Sequence, residues 1–395
     1  MDRRLLVLAL GMFAIGTDSF VIAGILPQVS QSLDVSLAVA GQMVTVYALS
    51  FAVLSPVIAA AAAHWPRKNL LLAGLAVFVA GNLITAIAPN IELVLASRFV
   101  AGLGAAMFSP TATATGASLV PPEKRARALA IVIAGLSGAT ALGSPLGTFI
   151  GSLDWRATMW FVTVVGTAAF VGVYFLLPAV AALPAVTLRA RLAPLKDMRV
   201  ALTLLTTLVA YSGFFAVYTY LGVAFDRATS GEPEILAALL FLWGVAATAG
   251  NLAAGYFTDR FGNRVLINVA LAVAAVNFVL MPWSSAHLWS SVMALIVWGT
   301  CGWGLLVPQQ DRLIGMAPAS ASLLLGLNSA SLYVGVSAAG VIGAAGITMF
   351  DRYQLGFIGA IFVGFALLIA HTADRRIQKA SLNALAPAAQ NSAAA

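Results

Sequence analysis

Long apolar stretches alternate with short polar connections along almost the whole chain. A helix that crosses a hydrocarbon core of ~30 Å at ~1.5 Å per residue needs about 20 apolar residues. The stretches are apolar nearly all round, and the strict alternation of a membrane β-strand is missing from them. The pattern therefore predicts twelve transmembrane helices, at residues 5–27, 37–62, 69–89, 93–117, 128–151, 157–182, 200–224, 234–257, 265–283, 287–308, 322–348 and 354–371.

The composition leads to the same interpretation. Apolar residues make up 61% of the 395 residues and charged residues 9%, against roughly 25% charged in a soluble domain. The single cysteine, Cys301, cannot form an internal disulfide, and with three histidines it argues against a metal centre. The first stretch follows Arg3 and Arg4, as the apolar part of a cleaved signal peptide would. Its length and its polar centre at residues 17–19 instead favour a transmembrane helix that stays in the protein.

The basic residues predict the orientation of the chain in the membrane. Most of the 21 Lys and Arg residues fall on one side of the predicted spans, whereas only Arg156, Arg227 and Arg352 fall on the other. Cytoplasmic loops carry the excess of positive charge, so both termini are expected in the cytoplasm. The net charge of +7 then reflects the orientation of the chain in the membrane. The basic residues are scattered over many loops and do not form one continuous face, so no nucleic-acid partner is predicted.

A basic, proline-containing segment divides the spans into two sets of six. We expect a first helical half at residues 1–182, a cytoplasmic linker at 183–199 and a second helical half at 200–379. The alanine-rich tail at 380–395 is expected to be disordered. Two six-helix halves are typical of secondary transporters, which bind substrate near the bilayer midplane between the halves.

The loop after the eighth span carries a spaced set of glycine, acid and arginine: Gly255, Asp259, Arg260, Gly262 and Arg264. Glycine at the first position lets helices approach, glycine at the fourth permits a tight turn, and the acid can accept bonds from a nearby helix N-terminus. A short charged turn is the simpler alternative. The spacing resembles the signature loop of the major facilitator superfamily, which implies a conformational latch here.

The equivalent loop of the first half lacks these residues. Ala59 and Ala63 stand at the positions of the glycine and the acid, and Pro66 replaces the turn glycine. His64 is expected to be an ordinary solvated loop residue. We therefore expect the second loop to act alone as a latch.

Two further motifs resemble the same superfamily. The fourth span contains Arg98 in a glycine- and alanine-rich run, and the fifth contains Gly143, Pro145 and Gly147, with Ser144 interrupting the usual glycine–proline step. The latter resembles the antiporter signature, although such glycines also serve helix packing alone, and proline bends a helix. Over nearly the whole chain the sequence resembles the bacterial twelve-span drug:proton antiporters, close to the sugar-efflux and arabinose-efflux-like permeases. The resemblance implies a major facilitator fold in the bacterial inner membrane.

Two charged residues lie deep inside the predicted spans. Asp18 alone among the 14 acids lies within a span, and among the basic residues Arg98 is comparably deep. A charge there costs ~2.5–3.5 kcal/mol even on lenient scales. At about 1.5 Å per residue both side chains reach the same depth in the outer half of the bilayer. We expect Asp18 to carry protons and Arg98 to set its proton affinity; a fixed structural ion pair is the alternative.

The remaining candidate site residues are aromatic or amide side chains within spans. Aligning Ala63 on Asp259 pairs Asp18 with Phe214 and Arg98 with Ala294, so the second half contributes an uncharged lining. Each candidate is also compatible with plain helix packing. The candidate substrate-binding residues are Gln42, Tyr47, Phe214, Tyr218, Trp298, Asn328 and Tyr333.

These features predict a proton-coupled exporter of small amphipathic or drug-like compounds or sugars, working by alternating access as a monomer without cofactor or metal. Its expected partners are the substrate, protons and the lipid bilayer. The same fold also serves importers and uniporters. A membrane-embedded enzyme or lipid scramblase is more distant, because the spans offer no second acid, histidine cluster or Ser/His pair for catalysis.

Overall fold

The computed structural model describes residues 2–62, 65–121, 125–179, 193–317 and 321–393. Within these ranges twelve helices are long and apolar enough to cross a membrane, which confirms the predicted number of spans. The helices are α1 Arg3–Ser32, α2 Leu37–Ala61, α3 Arg67–Ile87, α4 Ile91–Ser118, α5 Arg125–Gly151, α6 Trp155–Leu176, α7 Met198–Thr219, α8 Pro233–Phe261, α9 Asn263–Ser284, α10 Leu288–Met316, α11 Ala321–Met349 and α12 Leu355–Ala393.

Polar residues in the short connections set the starts of several helices. Asp2, Ser36, Asn90, Asp154 and Asp197 each precede a helix, and each side chain accepts a hydrogen bond from a backbone N–H of the first turn. Such caps satisfy donors that a helix start otherwise leaves free, and each contributes about 1 kcal/mol. The few polar residues between spans therefore fix where the spans begin.

Two helices are interrupted next to a proline. In α5 the α-helical segment Arg125–Gly138 gives way to a π-helical turn at Ala139–Gly143, and Pro145 follows at the start of Ser144–Gly151. In α10 the break between Gly304 and Leu306 lies one turn before Pro308. Proline has no N–H for the carbonyl four residues earlier, so the regular ladder cannot continue through these positions.

The C-terminal tail differs from the sequence prediction. The last helix continues to Ala393, through most of the segment at 380–395 that we expected to be disordered. Alanine, leucine and glutamine have high helix propensity, and they extend a helix that already has a stable start in α12. The interdomain linker predicted at 183–199 lies mostly outside the described residues, and α7 begins at Met198.

The two halves meet along two pairs of helices, α2 with α11 and α5 with α8. Small residues allow this close approach: Gly244 of α8 packs against the backbone of Thr140 in α5, and Gly340 of α11 packs against Thr45 of α2. The Ser337 hydroxyl also donates to the carbonyl of Thr45, at 3.2 Å. Small residues at such contacts are typical of helices packed within a bilayer.

Twelve alternating spans bring the start of α1 and the end of α12 to one end of the molecule, which we call the terminal end; the other is the opposite end. Large aromatic side chains are exposed near both, with Trp65 and Tyr256 at the terminal end and Trp283 and Trp289 at the opposite end. Two such belts are typical of a protein that spans a bilayer.

At the opposite end the two halves are in contact. The ring of Tyr220 lies between Gly41 of α2 and Gly343 of α11, and its hydroxyl donates to the carbonyl of Gly340 at 3.0 Å. Beside it, the short helix Leu221–Ala224 packs against α1. These contacts close the path between the halves at this end.

Candidate functional site

A buried ion pair joins α1 to α4. The Nη1 atom of Arg98 lies 2.5 Å from Oδ1 of Asp18, and neither side chain is more than 1% exposed. The side-chain amide of Asn82, on α3, donates to Oδ2 of Asp18 at 3.4 Å. The two charged residues singled out in the sequence are therefore direct partners, and three helices of the first half hold them.

The guanidinium of Arg98 also lies over an aromatic ring. Its Cζ atom is 4.5 Å from the ring centre of Tyr47 on α2, and its Nε donates to the carbonyl of Met43 at 3.5 Å. The hydroxyl of Tyr47 lies 3.2 Å from that of Ser19, the residue after Asp18. An arginine over a tyrosine face gains a cation–π attraction, so Tyr47 supports the charge of Arg98.

A residue of the second half reaches the same helix. The ring of Tyr333, on α11, stacks on Phe51 of α2 at 4.0 Å between ring centres. Phe51 follows Tyr47 by one helical turn, so both predicted tyrosines lie along the face of α2 that meets the other half. The structure thus places Tyr47 on the ion pair and Tyr333 against α2 one helical turn further along.

Three aromatic candidates of the second half join one buried cluster. Phe214, Tyr218 and Trp298 are each 2% exposed. The ring centres of Tyr218 and Trp243 are 4.6 Å apart, and those of Phe278 and Trp298 are 5.2 Å apart. The members of this aromatic cluster are Phe20, Tyr211, Phe214, Phe215, Tyr218, Trp243, Phe278, Trp298 and Trp303.

The aromatic cluster bridges the halves near the centre of the molecule. The hydroxyl of Tyr218 donates to the carbonyl of Phe20 on α1 at 3.1 Å and lies 3.4 Å from the hydroxyl of Ser144 on α5. The indole N–H groups of Trp243 and Trp303 are buried without an acceptor among the described residues. Since buried donors are normally satisfied, these two are available to a bound molecule.

The two amide candidates also lie outside the aromatic cluster. The side chain of Asn328 accepts a hydrogen bond from Thr207 at 2.7 Å, and the amide of Gln42 donates to Ala38 in its own helix at 3.0 Å. Sequence reasoning missed Gln309, which is 0% exposed and has no partner among the described residues for either side-chain polar atom. It also missed Asn82, which a search for polar residues inside apolar spans would have found.

The glycine and proline residues of α5 pack against α1 beside the ion pair. Gly143 leaves no room for a Cβ next to Thr17, and a Cβ on Gly147 would lie 2.5 Å from the side chain of Val21. The π-helical turn before Pro145 makes this approach possible, because it shifts the register of the helix. The predicted packing and bending residues thus sit directly behind Asp18.

The acid of the latch loop, Asp259, is not engaged with any described residue. Asp259 is exposed and makes no hydrogen bond or ion pair within the described residues, and Gly255 faces open space. Gly262 ends α8 at φ +80°, a value that favours glycine. Arg260 donates to the hydroxyl of Tyr256 at 3.1 Å. The loop therefore has its tight turn, but its acid has no partner here.

A second buried ion pair lies at the terminal end of the second half. Nη2 of Arg312 lies 2.5 Å from Oδ1 of Asp374, each side chain being 2% exposed. Asn268 donates to Oδ2 of Asp374 at 2.9 Å, and Nε of Arg264 is 3.6 Å from the same atom. Sequence reasoning placed these charges in loops and helix ends, whereas α12 carries Asp374 into the helix bundle.

Among its described residues, the first half has no such buried acid at its terminal end. Lys68 instead donates to the carbonyls of Tyr174 and Leu177 at the end of α6, at 2.8 and 2.6 Å. Cations stabilise a helix C-terminus through the dipole. The two halves thus use different chemistry at equivalent positions. Within the described residues, no group of three His, Cys, Asp or Glu residues could hold a metal ion.

Twelve spanning helices in two halves, with an aromatic cluster where the halves meet and a buried ion pair inside the first half, are typical of secondary transporters. The family model of the major facilitator superfamily matches residues 8–322. The chain belongs to this superfamily, whose members are transporters and not enzymes.

Several characterised and uncharacterised members are similar over most of their length. The chain is 34% identical to "Chloramphenicol resistance protein" of Streptomyces lividans, covering 94% of this chain and 96% of that one. It is 29% identical to "Inner membrane transport protein YdhP" of Escherichia coli K12, with 94% and 96% covered, and 27% identical to "Probable sugar efflux transporter" of Helicobacter pylori G27, with 92% and 92% covered.

A solved structure of low identity supports the fold. The crystal structure of a D-xylose-proton symporter superposes with a TM-score of 0.76 at 14% identity, covering 93% of this chain and 96% of that one. The major facilitator fold predicted from the sequence is therefore confirmed, and so is a multi-pass membrane protein.

Proposed function

We propose that this transporter exports small amphipathic compounds in exchange for protons. The observation that carries the proposal is the ion pair of Asp18 and Arg98, held at 2.5 Å with both side chains almost fully buried. Two desolvated charges are expensive, and a hydrophobic pair of similar size often stabilises a fold better. A buried pair kept between helices therefore favours a role in transport over a role in stability alone.

The pair can couple proton binding to the conformational change. A buried carboxylate gains a proton when its guanidinium partner moves away and loses it when the partner returns. With the path closed at the opposite end, as here, Asp18 holds its charge against Arg98 and the site accepts substrate. When the halves rock apart at that end, Asp18 becomes accessible from there and takes a proton, its attraction to Arg98 weakens, and substrate leaves.

The membrane potential can drive this exchange. One charge that moves through 100 mV is worth ~2.3 kcal/mol, which exceeds a tenfold concentration ratio. Among the described residues, the first half has one buried acid, Asp18, and the second half has one, Asp374, at the terminal end, so few protons move per cycle. We expect one proton per substrate to suffice.

The aromatic cluster favours neutral or cationic, partly apolar substrates with hydrogen-bond acceptors. The flat rings of Phe214, Tyr218 and Trp298 would contact an aromatic substrate. The two free indole N–H groups, of Trp243 and Trp303, would donate hydrogen bonds to its carbonyl, nitro or hydroxyl oxygens. The similarity to a chloramphenicol resistance protein makes phenicols the first compounds to test. Sugars, suggested by the sugar-efflux relative, are the second class.

Proteoliposomes with an imposed proton gradient test the proposal directly. The intact protein should accumulate a labelled phenicol and release protons in step, whereas Asp18→Asn should allow only downhill exchange. Asp374→Asn is the matched control, because it also removes a buried, arginine-paired carboxylate but in the other half. Proton-driven uptake by Asp18→Asn at the normal rate would show that Asp18 is structural. Uptake in the same direction as the protons would support the alternative, an importer.

A further inference from the structure

Two neighbouring cavities lie on the outside of the bundle at the opposite end. The first, of about 440 Å³, lies between the start of α2 in the first half and the connection from α11 to α12 in the second. The second, of about 270 Å³, lies between α11 and α12. Phe350 lines both, so the two cavities adjoin at this side chain, and we call them together the α11–α12 cleft.

The first cavity carries both signs of charge. Arg352 is 46% exposed; its Nη2 pairs with Asp226 at 3.0 Å, while its Nε and Nη1 have no partner among the described residues. Oδ1 of Asp351 accepts from the backbone of Tyr353 at 2.8 Å, which leaves Oδ2 free. The cavity therefore offers one cation with free donors and one acid with a free acceptor, close together.

The charges around this cavity balance. Asp226 pairs with Arg352, and the guanidinium of Arg227 lies 3.9 Å from the ring centre of Tyr353. The charged residues that line the cavity itself are Asp351 and Arg352, one of each sign. Ser36 and the N-terminus of α2 add a weak positive field on the other wall. A neutral rim with separated charges suits a zwitterion better than a simple anion.

The second cavity is apolar. Its lining includes Ile342, Met349, Ile358 and Phe362, and all its other lining residues are apolar or glycine. Met349 and Ile361 are 74% and 55% exposed, and they lie on the surface that faces the bilayer. An apolar groove that runs from a charged pocket into the lipid-facing surface has the shape and polarity of an amphiphile with one polar end.

We propose that the α11–α12 cleft binds a phospholipid whose headgroup carries a phosphate and a primary ammonium. The phosphate accepts from the free donors of Arg352, the ammonium donates to Asp351, and an acyl chain occupies the apolar cavity. Charge-assisted hydrogen bonds to a guanidinium and a carboxylate provide the recognition, and burial of the chain provides affinity. The apolar cavity distinguishes a lipid from free phosphate, which would fill only the charged part.

Native mass spectrometry of the purified full-length chain tests the proposal without a transport assay. Phosphatidylethanolamine should remain bound at one site, while phosphatidylglycerol, which lacks the ammonium, should bind about tenfold more weakly, the value of one charge-assisted hydrogen bond. Asp351→Asn should remove this preference, because Asp351 binds the ammonium, whereas Arg352→Gln should weaken the binding of both lipids. Inorganic phosphate should not displace the lipid, and displacement at similar concentrations would show a free-phosphate site instead.

A second variant tests the acyl part independently. Ala345 lines the apolar cavity and is exposed, so Ala345→Phe fills the cavity without disturbing helix contacts. It should lower phosphatidylethanolamine binding about tenfold, as expected for a blocked apolar pocket. Ala80→Phe, at an exposed position of α3 outside the cleft, is the matched control and should leave binding unchanged. Equal binding of both lipids, or equal effects of the two phenylalanines, would overturn the proposal.

Discussion

The hydroxyl of Tyr220 occupies the space that Gly41 leaves open where α7 meets α2. A Cβ on Gly41 would overlap this hydroxyl, and a Cβ on Gly343 would lie 2.5 Å from the other side of the ring. The Tyr220 ring is thus a wedge between one helix of each half, held by its bond to the carbonyl of Gly340. Closure at the opposite end depends on this fit between a tyrosine and two glycines.

Gly41→Ala should shift the protein towards a form that is open at the opposite end. The added methyl must displace Tyr220, and such overpacking costs ~1–3 kcal/mol, enough to change a two-state ratio about tenfold. Gly326→Ala is the control, because nothing lies within 4 Å of that position. It should change only local helix stability.

Spin labels at positions 34 and 232, on a Cys301→Ser background, measure this shift, because both positions are exposed at the opposite end, one in each half. Double electron–electron resonance should report longer distances for Gly41→Ala than for the unmodified protein. An unchanged distance distribution would mean that Tyr220 adjusts without opening the contact.

The fold was largely predictable from the sequence, because a bilayer imposes a length and a polarity on every span. The polar caps at Ser36 and Asn90 also mark helix starts in the sequence. The end of α12 was not predictable in the same way. The apolar residues of the last span end near the membrane surface, whereas residues of high helix propensity continue into the alanine-rich tail. A prediction based on hydropathy therefore placed the end of the helix too early.

The candidate site was predictable where it depends on charge. A single acid and a single deep arginine in apolar spans leave few partners, and Asp18 and Arg98 do meet. Uncharged residues carry no such constraint, because the face of an apolar helix that meets its neighbours depends on packing. Asn328 and Gln42 therefore lie apart from the aromatic cluster, and Gln309 escaped notice.

The orientation remains a prediction, which cysteine labelling in intact cells tests. On a Cys301→Ser background, cysteines at positions 34 and 154 should react with an impermeant reagent, since both positions lie at the opposite end, which the basic residues place outside. A cysteine at position 191, outside the described residues, should not react. Labelling of position 191 alone would reverse the orientation.

Asp259→Asn should favour the conformation described here. The acid has no partner among the described residues, so we expect its loss to cost little here and to destabilise the form that is closed at the terminal end. A cysteine at exposed Gly315, near the end of α10, should therefore become more accessible in the Asp259→Asn variant. His64→Ala, which changes the degraded loop outside the described residues, should have little effect. Equal changes in the two variants would contradict an asymmetric latch.

Arg98→Ala should destabilise the protein far more than removal of both charges. It leaves Asp18 buried without its cation, and breaking a buried pair in this way costs about 3–5 kcal/mol. Asp18→Asn combined with Arg98→Ala leaves no unpaired charge, so much of this loss should return. Thermal unfolding in detergent, measured for both single variants and the double variant, gives the coupling between the two side chains.

The same variants separate a proton carrier from a passive ion pair through pH. In Arg98→Ala, the neutral, protonated carboxyl of Asp18 costs less to bury than the charged carboxylate. The loss of unfolding free energy relative to the unmodified protein should therefore be small in acid and grow as the pH rises. The double variant has no titrating group at this position and should show no such slope relative to the unmodified protein. If transport by Arg98→Ala also loses its normal pH dependence while Asp374→Asn keeps it, Asp18 exchanges its proton during the cycle. A flat stability profile for Arg98→Ala would show that Asp18 does not titrate in this range and cannot carry the proton.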